Sequence, residues 1–438
     1  MIPIDTDLLV LGGGTAGIAA ARAASRNGLA VTLVEADRVG GPRTLLSWRV
    51  LERTVDRHVA RGECLRASVW AEARAELARL AELREERLAL RLGDAGVDLV
   101  HGRARFTSPH ELEVASGARV RFDRAVVAVG AGAIGFDGDA PDGRRYVTAD
   151  GLFGLSALPD AVLVVGGGAA GAELVDSLSR VKDVEVTWLM DEVGILPRFE
   201  RELADALGDV LLGRGVKLVH GKAVVGVTVE EHRAVAHLEG GHKYDGPLLV
   251  ACAGRRAEPT ELGLDALGIA SLRVDDRLRT SAEHVWAAGE SAGECPSAGH
   301  AEAMGRLAGR AAAGLEIRPW DPSQIPSVVR THPQLAQVGL TPERLAGMEV
   351  ILHTARAEES LAGLLEGVGE SADKKGFLRL ASDSETGRIL GLSAAGPGAG
   401  SLASAAAIAL RLGATDDAVA DVFGDVPGAL DGLFAVVR

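Results

Sequence analysis

A chain of 438 residues, 47% hydrophobic and 25% charged, can bury a large core and exceeds the usual size of one domain. Its formal net charge of -14 opposes the long-range attraction that nucleic acid or an anionic membrane surface requires, so small molecules or proteins are the expected partners. Cys64, Cys252 and Cys295 are the only cysteines, an odd number at wide spacing, which excludes an internal disulfide framework and fits a reducing compartment.

The first ten residues have no basic flank or long apolar core, and no apolar run further on is long enough to span a bilayer. The cytoplasm is therefore the expected location. Apolar Leu8 to Leu11 then leads into Gly12, Gly13, Gly14, Thr15, Ala16 and Gly17, an alanine-rich helix, and a second strand, Ala30 to Val34, closed by Glu35. In the dinucleotide fingerprint Gly12 makes the tight turn, Gly14 lets a pyrophosphate approach the backbone, and Gly17 lets helix and strand pack. The helix N-terminus then faces the phosphates, and Glu35 accepts hydrogen bonds from a ribose hydroxyl pair, where it would repel a 2'-phosphate.

His101 to Phe106, Glu111 to Ala115 and Val120 to Phe122 read as strands of a small hairpin, and Arg124 to Gly130 as another buried strand. The first unit then returns. Ala161 to Val165 is followed by Gly166, Gly167, Gly168, Ala169, Ala170 and Gly171, a helix, and the strand Val184 to Met190. Two such units predict two dinucleotide sites. Val285 to Gly289 is a short strand running into Glu290, and Ala298 to Gly314 a helix. Pro319, Pro322 and Pro326 punctuate a linker to a C-terminal domain with an alanine-rich helix, Leu402 to Leu412.

The order of these motifs resembles the pyridine nucleotide-disulfide oxidoreductase family, which includes dihydrolipoamide dehydrogenase, glutathione reductase and mercuric reductase. The resemblance rests on Gly12 to Gly17 with Glu35, Gly40 and Gly41, Ala128-Val129-Gly130, Gly166 to Gly171 with Glu173, Gly254-Arg255-Arg256, Ala288-Gly289-Glu290, and the run Thr331, Pro333, Ala336 and Val338 to Thr341. It implies an α/β fold with two Rossmann-like dinucleotide-binding domains and a C-terminal α+β dimerisation domain. Residues 1–150 would bind FAD, 151–272 NAD(H) or NADP(H), 273–321 would return to FAD, and 322–438 would build a homodimer.

By the same resemblance Gly41, Ala104, Gly130, Gly254, Gly289 and Glu290 join the cofactor-binding positions, with Glu290 standing for an aspartate at the flavin ribityl chain. Ser297 and Ala298 fall at a helix N-terminus near the flavin C2 carbonyl. Backbone donors there would stabilise negative charge on reduced flavin. Cys295 lies beside the same edge, either as a reactive thiol or as a small packed side chain.

The sequence departs from the family where its chemistry is expected. Family reductases carry two cysteines after the Gly-Gly pair; here Arg43 and Trp48 occupy those places, and neither can form a disulfide or hold a thiolate. Glu52 stands where the family has a lysine near flavin N5 that pairs with a glutamate, here Glu173. Two carboxylates would then replace an ion pair and one pKa should rise, unless Glu52 lies on a solvated helix face. The family's catalytic histidine near the C-terminus corresponds to Val426, so the thiol and its base are lost together.

In the second unit Met190 takes the place of the ribose-binding acid, with Asp191 one residue later; Asp191 either reaches a ribose, favouring NADH, or is an ordinary turn residue. His300 and His332 read as single histidines without a paired carboxylate, and no CxxC or HExxH metal motif is present. The expected function is an FAD enzyme that takes hydride from NAD(P)H and passes electrons directly to a small acceptor such as a quinone or oxygen, with Arg43, Trp48, Glu52 and Glu173 at its centre. The alternative is a non-catalytic flavoprotein acting as a structural or regulatory partner in a complex.

Overall fold

The computed structural model describes residues 3–41, 44–257, 259–356 and 376–421. The chain divides into two compact units, one made of Met1–Val50, Arg74–Ile134 and Arg255–Pro322, the other of Leu51–Ala73, Gly135–Gly254 and Ser323–Arg438. Two long helices, Thr44–Ala60 and Arg66–Asp94, contribute residues to both.

In the first unit, the strand Ile4–Leu11 lies between Val31–Glu35 and Arg119–Val127, parallel to both, with Val10 opposite Leu33 and Val126. The sheet runs Val97–His101, Val31–Glu35, Ile4–Leu11, Arg119–Val127, Glu111–Val114, Ala104–Ser108, and Val285–Ala287 joins in parallel beside Arg119–Val127. Val31 to Val34 are all buried, as a parallel strand covered on both faces requires. Val120 to Phe122 and Arg124 to Gly130, expected as separate strands, prove to be one, Arg119–Val127. Its first half pairs antiparallel with Glu111–Val114 and alternates buried with exposed, whereas Ala125 to Val127 are buried on both faces. The change of pattern at exposed Asp123 reflects a change of surroundings along one strand.

The helix Thr15–Ser25 packs against Ala298–Ala312 at backbone distance. A Cβ added to Gly305 would sit 2.0 Å from Ala16 O, and one on Gly309 2.3 Å from Ala20 O. Glycine on one helix and alanine on the other, with Ala20, Ala21, Ala308 and Ala312 fully buried, allow that approach.

The second unit holds a parallel sheet in the order Lys217–Val219, Glu185–Leu189, Ala161–Val165, Leu249–Ala251, Tyr146–Thr148. An antiparallel sheet of Val224–Val229, Ala234–Leu238 and Lys243–Gly246 accompanies it. The C-terminal part is an antiparallel sheet, Ser327–Val329, Leu335–Gly339, Ile389–Ala395, Phe377–Asp383, Val350–Arg356, whose core of Val338, Leu378, Leu380 and Leu392 is closed by Leu402, Ala403 and Ala406 of the helix Ala399–Leu412. The α/β class with an α+β C-terminal part is thus as expected.

Within this unit Glu200, 2% exposed, accepts from Arg379 Nη1, while Arg379 Nη2 donates to Glu202 Oε2 at 2.6 Å. Among the described residues the other oxygen of Glu200 has no hydrogen-bond partner. Removing the guanidinium leaves a buried carboxylate uncompensated, so Arg379→Met should cost about 3 kcal/mol, read as a lower urea midpoint. Adding Glu200→Gln to Arg379→Met should recover much of that loss.

Candidate functional site

Both glycine turns have the geometry that the fingerprint demands. Gly12 has φ +106 and a Cβ there would lie 2.4 Å from Ala128 O; a Cβ on Gly17 would lie 1.8 Å from Gly12 O. Gly166 has φ +117 and would meet Cys252 O at 2.3 Å, and Gly171 would meet Gly166 O at 2.2 Å. Gly14 and Gly168, the N-caps of the helices Thr15–Ser25 and Ala169–Ser179, face open space. In each turn two glycines are fixed by close backbone contact and the third leaves an uncovered helix N-terminus, where an anion is favoured.

Beside the first turn lies a cleft of about 760 Å³ lined by Gly12, Glu35, Ala104, Gly130, Arg105 and Arg256, among others. Glu35 closes its strand with Oε2 accepting from Gly13 N–H and Oε1 accepting from Asp37 N–H at 2.8 Å. Each carboxylate oxygen keeps a further lone pair, so the residue is fixed in place and still able to accept from a ribose. Gly130 has φ +74, and a Cβ on Gly41 would lie only 3.4 Å from Gly14 Cα. The donors and acceptors fit an adenine dinucleotide at the diphosphate and the ribose.

Glu290 is held differently from a free acceptor. Arg255 Nε lies 2.9 Å from Glu290 Oε1, and Arg255 Nη2 donates to Ala131 O. Gly254, at φ +107, and Gly289, at φ +74, occupy left-handed positions next to these two residues. Ser297 caps the helix Ala298–Ala312, its Oγ accepting from His300 N–H. Buried His300 has both ring nitrogens satisfied without a carboxylate: Nε2 lies 3.2 Å from Pro322 O, so it carries the proton, and Nδ1 accepts from Ser297 Oγ at 2.8 Å. Burial pushes the His300 pKa down, keeping it neutral.

In the second unit Met190 is buried, 3% exposed, and Asp191 Oδ1 accepts from Val193 N–H at 3.1 Å, a turn contact. Leu196 N–H donates to Gly167 O at 2.8 Å, tying the following segment to the glycine turn.

One cluster in this unit was not anticipated. Asp176, fully buried on the helix Ala169–Ser179, accepts from Arg214 Nη1 at 2.8 Å, His332 N–H at 3.0 Å and His332 Nδ1 at 3.2 Å, with Arg180 Nη2 at 3.3 Å. Arg180 also bonds Asp56, and His332 Nε2 lies 3.5 Å from Asp56 Oδ1. His332, expected to lack a carboxylate partner, faces two, because chain closure brings a loop of the C-terminal sheet onto this helix. Glu52, Asp56 and His332 each offer an atom within 4.8 Å of the others. Asp56 is already engaged by Arg180, which makes the group an ion-pair network. Glu173, one turn before Asp176, accepts from Arg330 N–H at 2.8 Å.

Residues 6–305 match the family model described as pyridine nucleotide-disulphide oxidoreductase. The chain belongs to that family. Residues 325–430 match the dimerisation domain of pyridine nucleotide-disulphide oxidoreductases. Dihydrolipoyl dehydrogenase from Thermus scotoductus is 32% identical across 93% of this chain and 92% of its own length. Dihydrolipoyl dehydrogenase 2 from Haloarcula marismortui is 29% identical across 93% and 91%. Among solved structures, LpdA from Mycobacterium tuberculosis superposes with a TM-score of 0.91 at 24% identity, covering 99% of both chains. The HOCl-induced flavoprotein disulfide reductase RclA from Escherichia coli gives 0.84 at 21%, covering 98% of this chain and 99% of its own.

Pyridine nucleotide-disulphide oxidoreductases bind FAD and NAD(P)H, which accounts for two phosphate turns in one chain. Arg43 and Val426 of this member lie outside the described residues. Trp48 and Glu52 fall on the helix Thr44–Ala60, both half-buried. Sequence reasoning missed Asp176, Arg180 and Arg214. A signal was available: Glu173, Asp176 and Arg180 follow at three and four residues, a charged stripe on an otherwise apolar helix.

Proposed function

We propose that this chain is an FAD-dependent NAD(P)H oxidoreductase that passes electrons directly to a small acceptor, a quinone or oxygen, and not to a disulfide. The observation that carries this reading is the stretch Gly40 to Arg49, which holds no cysteine where the family's redox pair belongs. Bound FAD supplies a two-electron acceptor for the nicotinamide hydride. The chain's own part is to hold the two nucleotides: Gly12 to Gly17 and Glu35 for FAD, with Ala104, Gly130, Glu290, Ser297 and Ala298 around it, and Gly166 to Gly171 for NAD(P)H. Trp48, Glu52 and Glu173 are the residues proposed to shape the reacting centre, together with Arg43. The domain limits 1–150, 151–272, 273–321 and 322–438 belong to the same proposal.

The remaining cysteines support it. Burial pushes the thiols of Cys252 and Cys295 up to about 12, with Asp150 and Glu290 adding to the respective shifts, and burial also raises Cys64. Thiols as high as those of Cys252 and Cys295 stay protonated at neutral pH and are poor nucleophiles. The dimerisation-domain match supports a homodimer, and Ile408 and Leu412 are 64% and 78% exposed on the helix Ala399–Leu412.

Anaerobic titration with NADH and then NADPH tests the reading. One of them should bleach the oxidised flavin band, a quinone should restore it, and lipoamide should give no turnover. Turnover with lipoamide comparable to that with the quinone would end the proposal. A second reading, a flavoprotein without nicotinamide chemistry, draws on buried Met190 and the turn contact of Asp191. Its signature is a yellow protein that neither nucleotide bleaches.

A further inference from the structure

We propose that Arg84 is a positioning residue for the FAD diphosphate, acting through the Gly40–Gly41 turn. The turn is bound to the first phosphate turn by its backbone: Gly40 N–H donates to Gly13 O at 2.7 Å, and Gly41 runs beside Gly14, where an added Cβ would come 3.4 Å from Gly14 Cα while the open side of Gly14 stays uncovered. Both glycines are left-handed, at φ +109 and +75. Gly41 N–H donates back to Arg38 O at 3.2 Å. The Gly40 carbonyl accepts from Arg84 Nη1.

Two polar contacts from one helix, Arg66–Asp94, hold the segment, and a third residue of that helix closes the space beside it. Arg84 takes the Gly40 carbonyl, Glu85 pairs with Arg38 at 3.4 Å, and a Cβ on Gly40 would meet Leu88 Cδ1 at 2.9 Å. Arg84 is half-buried, and loss of water around the guanidinium depresses its pKa. A guanidinium partly withdrawn from water and bonded to a neutral carbonyl is stabilised further by an anion close by. The guanidinium fixes the carbonyl dipole with its negative end turned toward positive charge, next to the turn where a diphosphate must sit. Gly13 and Gly14 are thereby kept in register with Gly41.

The test compares flavin and half-cofactor binding in the apoprotein. Removing a charge-assisted hydrogen bond of this kind should weaken FAD by about tenfold or more in Arg84→Met. ADP, which carries the diphosphate, should weaken in step, and adenosine, which lacks it, should bind unchanged. Arg84→Lys, keeping a charged donor, should recover most of the loss. Arg84→Gln, a shorter neutral donor, should lose FAD and ADP selectively but less than Met, and it decides the matter if the Met variant does not fold. Native FAD affinity in the folded Met or Gln variant overturns the proposal, as do equal losses for ADP and adenosine, which would mark general damage to the fold.

Discussion

Gly17→Ala is expected to yield a protein without bound flavin. The added methyl would have its carbon 1.8 Å from Gly12 O, so either the helix Thr15–Ser25 or the turn before it must move. Strain of this kind costs about 3 kcal/mol, equivalent to roughly a hundredfold in affinity. The matching change in the second turn, Gly171→Ala, puts a methyl 2.2 Å from Gly166 O and should act on the other nucleotide alone. That variant is expected to purify yellow and to resist bleaching by NADH and NADPH. Flavin content and anaerobic spectra of the pair check both assignments at once. Full flavin in Gly17→Ala would show that the first turn does not hold FAD.

The second large effect is on stability and its dependence on pH. Burial alone would raise the pKa of Asp176, but the His332 hydrogen bond and the charges of Arg180, His332 and Arg214 outweigh it and hold the carboxyl below its usual range. Arg180 and Arg214 have side chains only 11% exposed. Asp176→Ala would leave them without their shared anion and should cost on the order of 3–5 kcal/mol. The folded pKa is lowered, so the carboxylate's contribution is fully present above its unfolded value of about 3.9 and disappears as pH falls through the folded value. Urea midpoints should therefore drop steeply on acidification below about pH 4 in the unaltered protein and less steeply in Asp176→Asn. Equal slopes in the two proteins would count against the assignment.

Much of the architecture was legible because its signals are local. The glycine turns announce themselves by glycine spacing after a short apolar strand, and in the structure Gly12, Gly17, Gly166 and Gly171 meet the same backbone constraints in both repeats. Glu35 was legible for the same reason, since it ends a strand next to the turn it bonds. Partners distant in sequence were not. Asp176 meets His332 across 156 residues, and Glu200 meets Arg379 across 179. No periodicity or spacing records such pairings, so His332 looked solitary and Asp176 and Arg180 drew no reading at all. Glu290 was read as an acceptor awaiting the flavin, whereas Arg255, only a motif member in the sequence, grips it.

By itself the sequence determined the α/β class, the two glycine-rich turns, the family and the lack of any cysteine from Gly40 to Arg49, because each depends on residue identity at short spacing. Tertiary structure alone decided which charges neutralise one another and which groups lose water: that Asp176 serves two arginines and a histidine, that Arg84 reaches the Gly40 carbonyl, and that burial, with Asp150 and Glu290 respectively, raises the Cys252 and Cys295 thiols. The physical reason is range. Backbone conformation and steric fit are set by near neighbours along the chain, whereas the energy of a charge depends on which distant groups and how much water the completed fold places beside it.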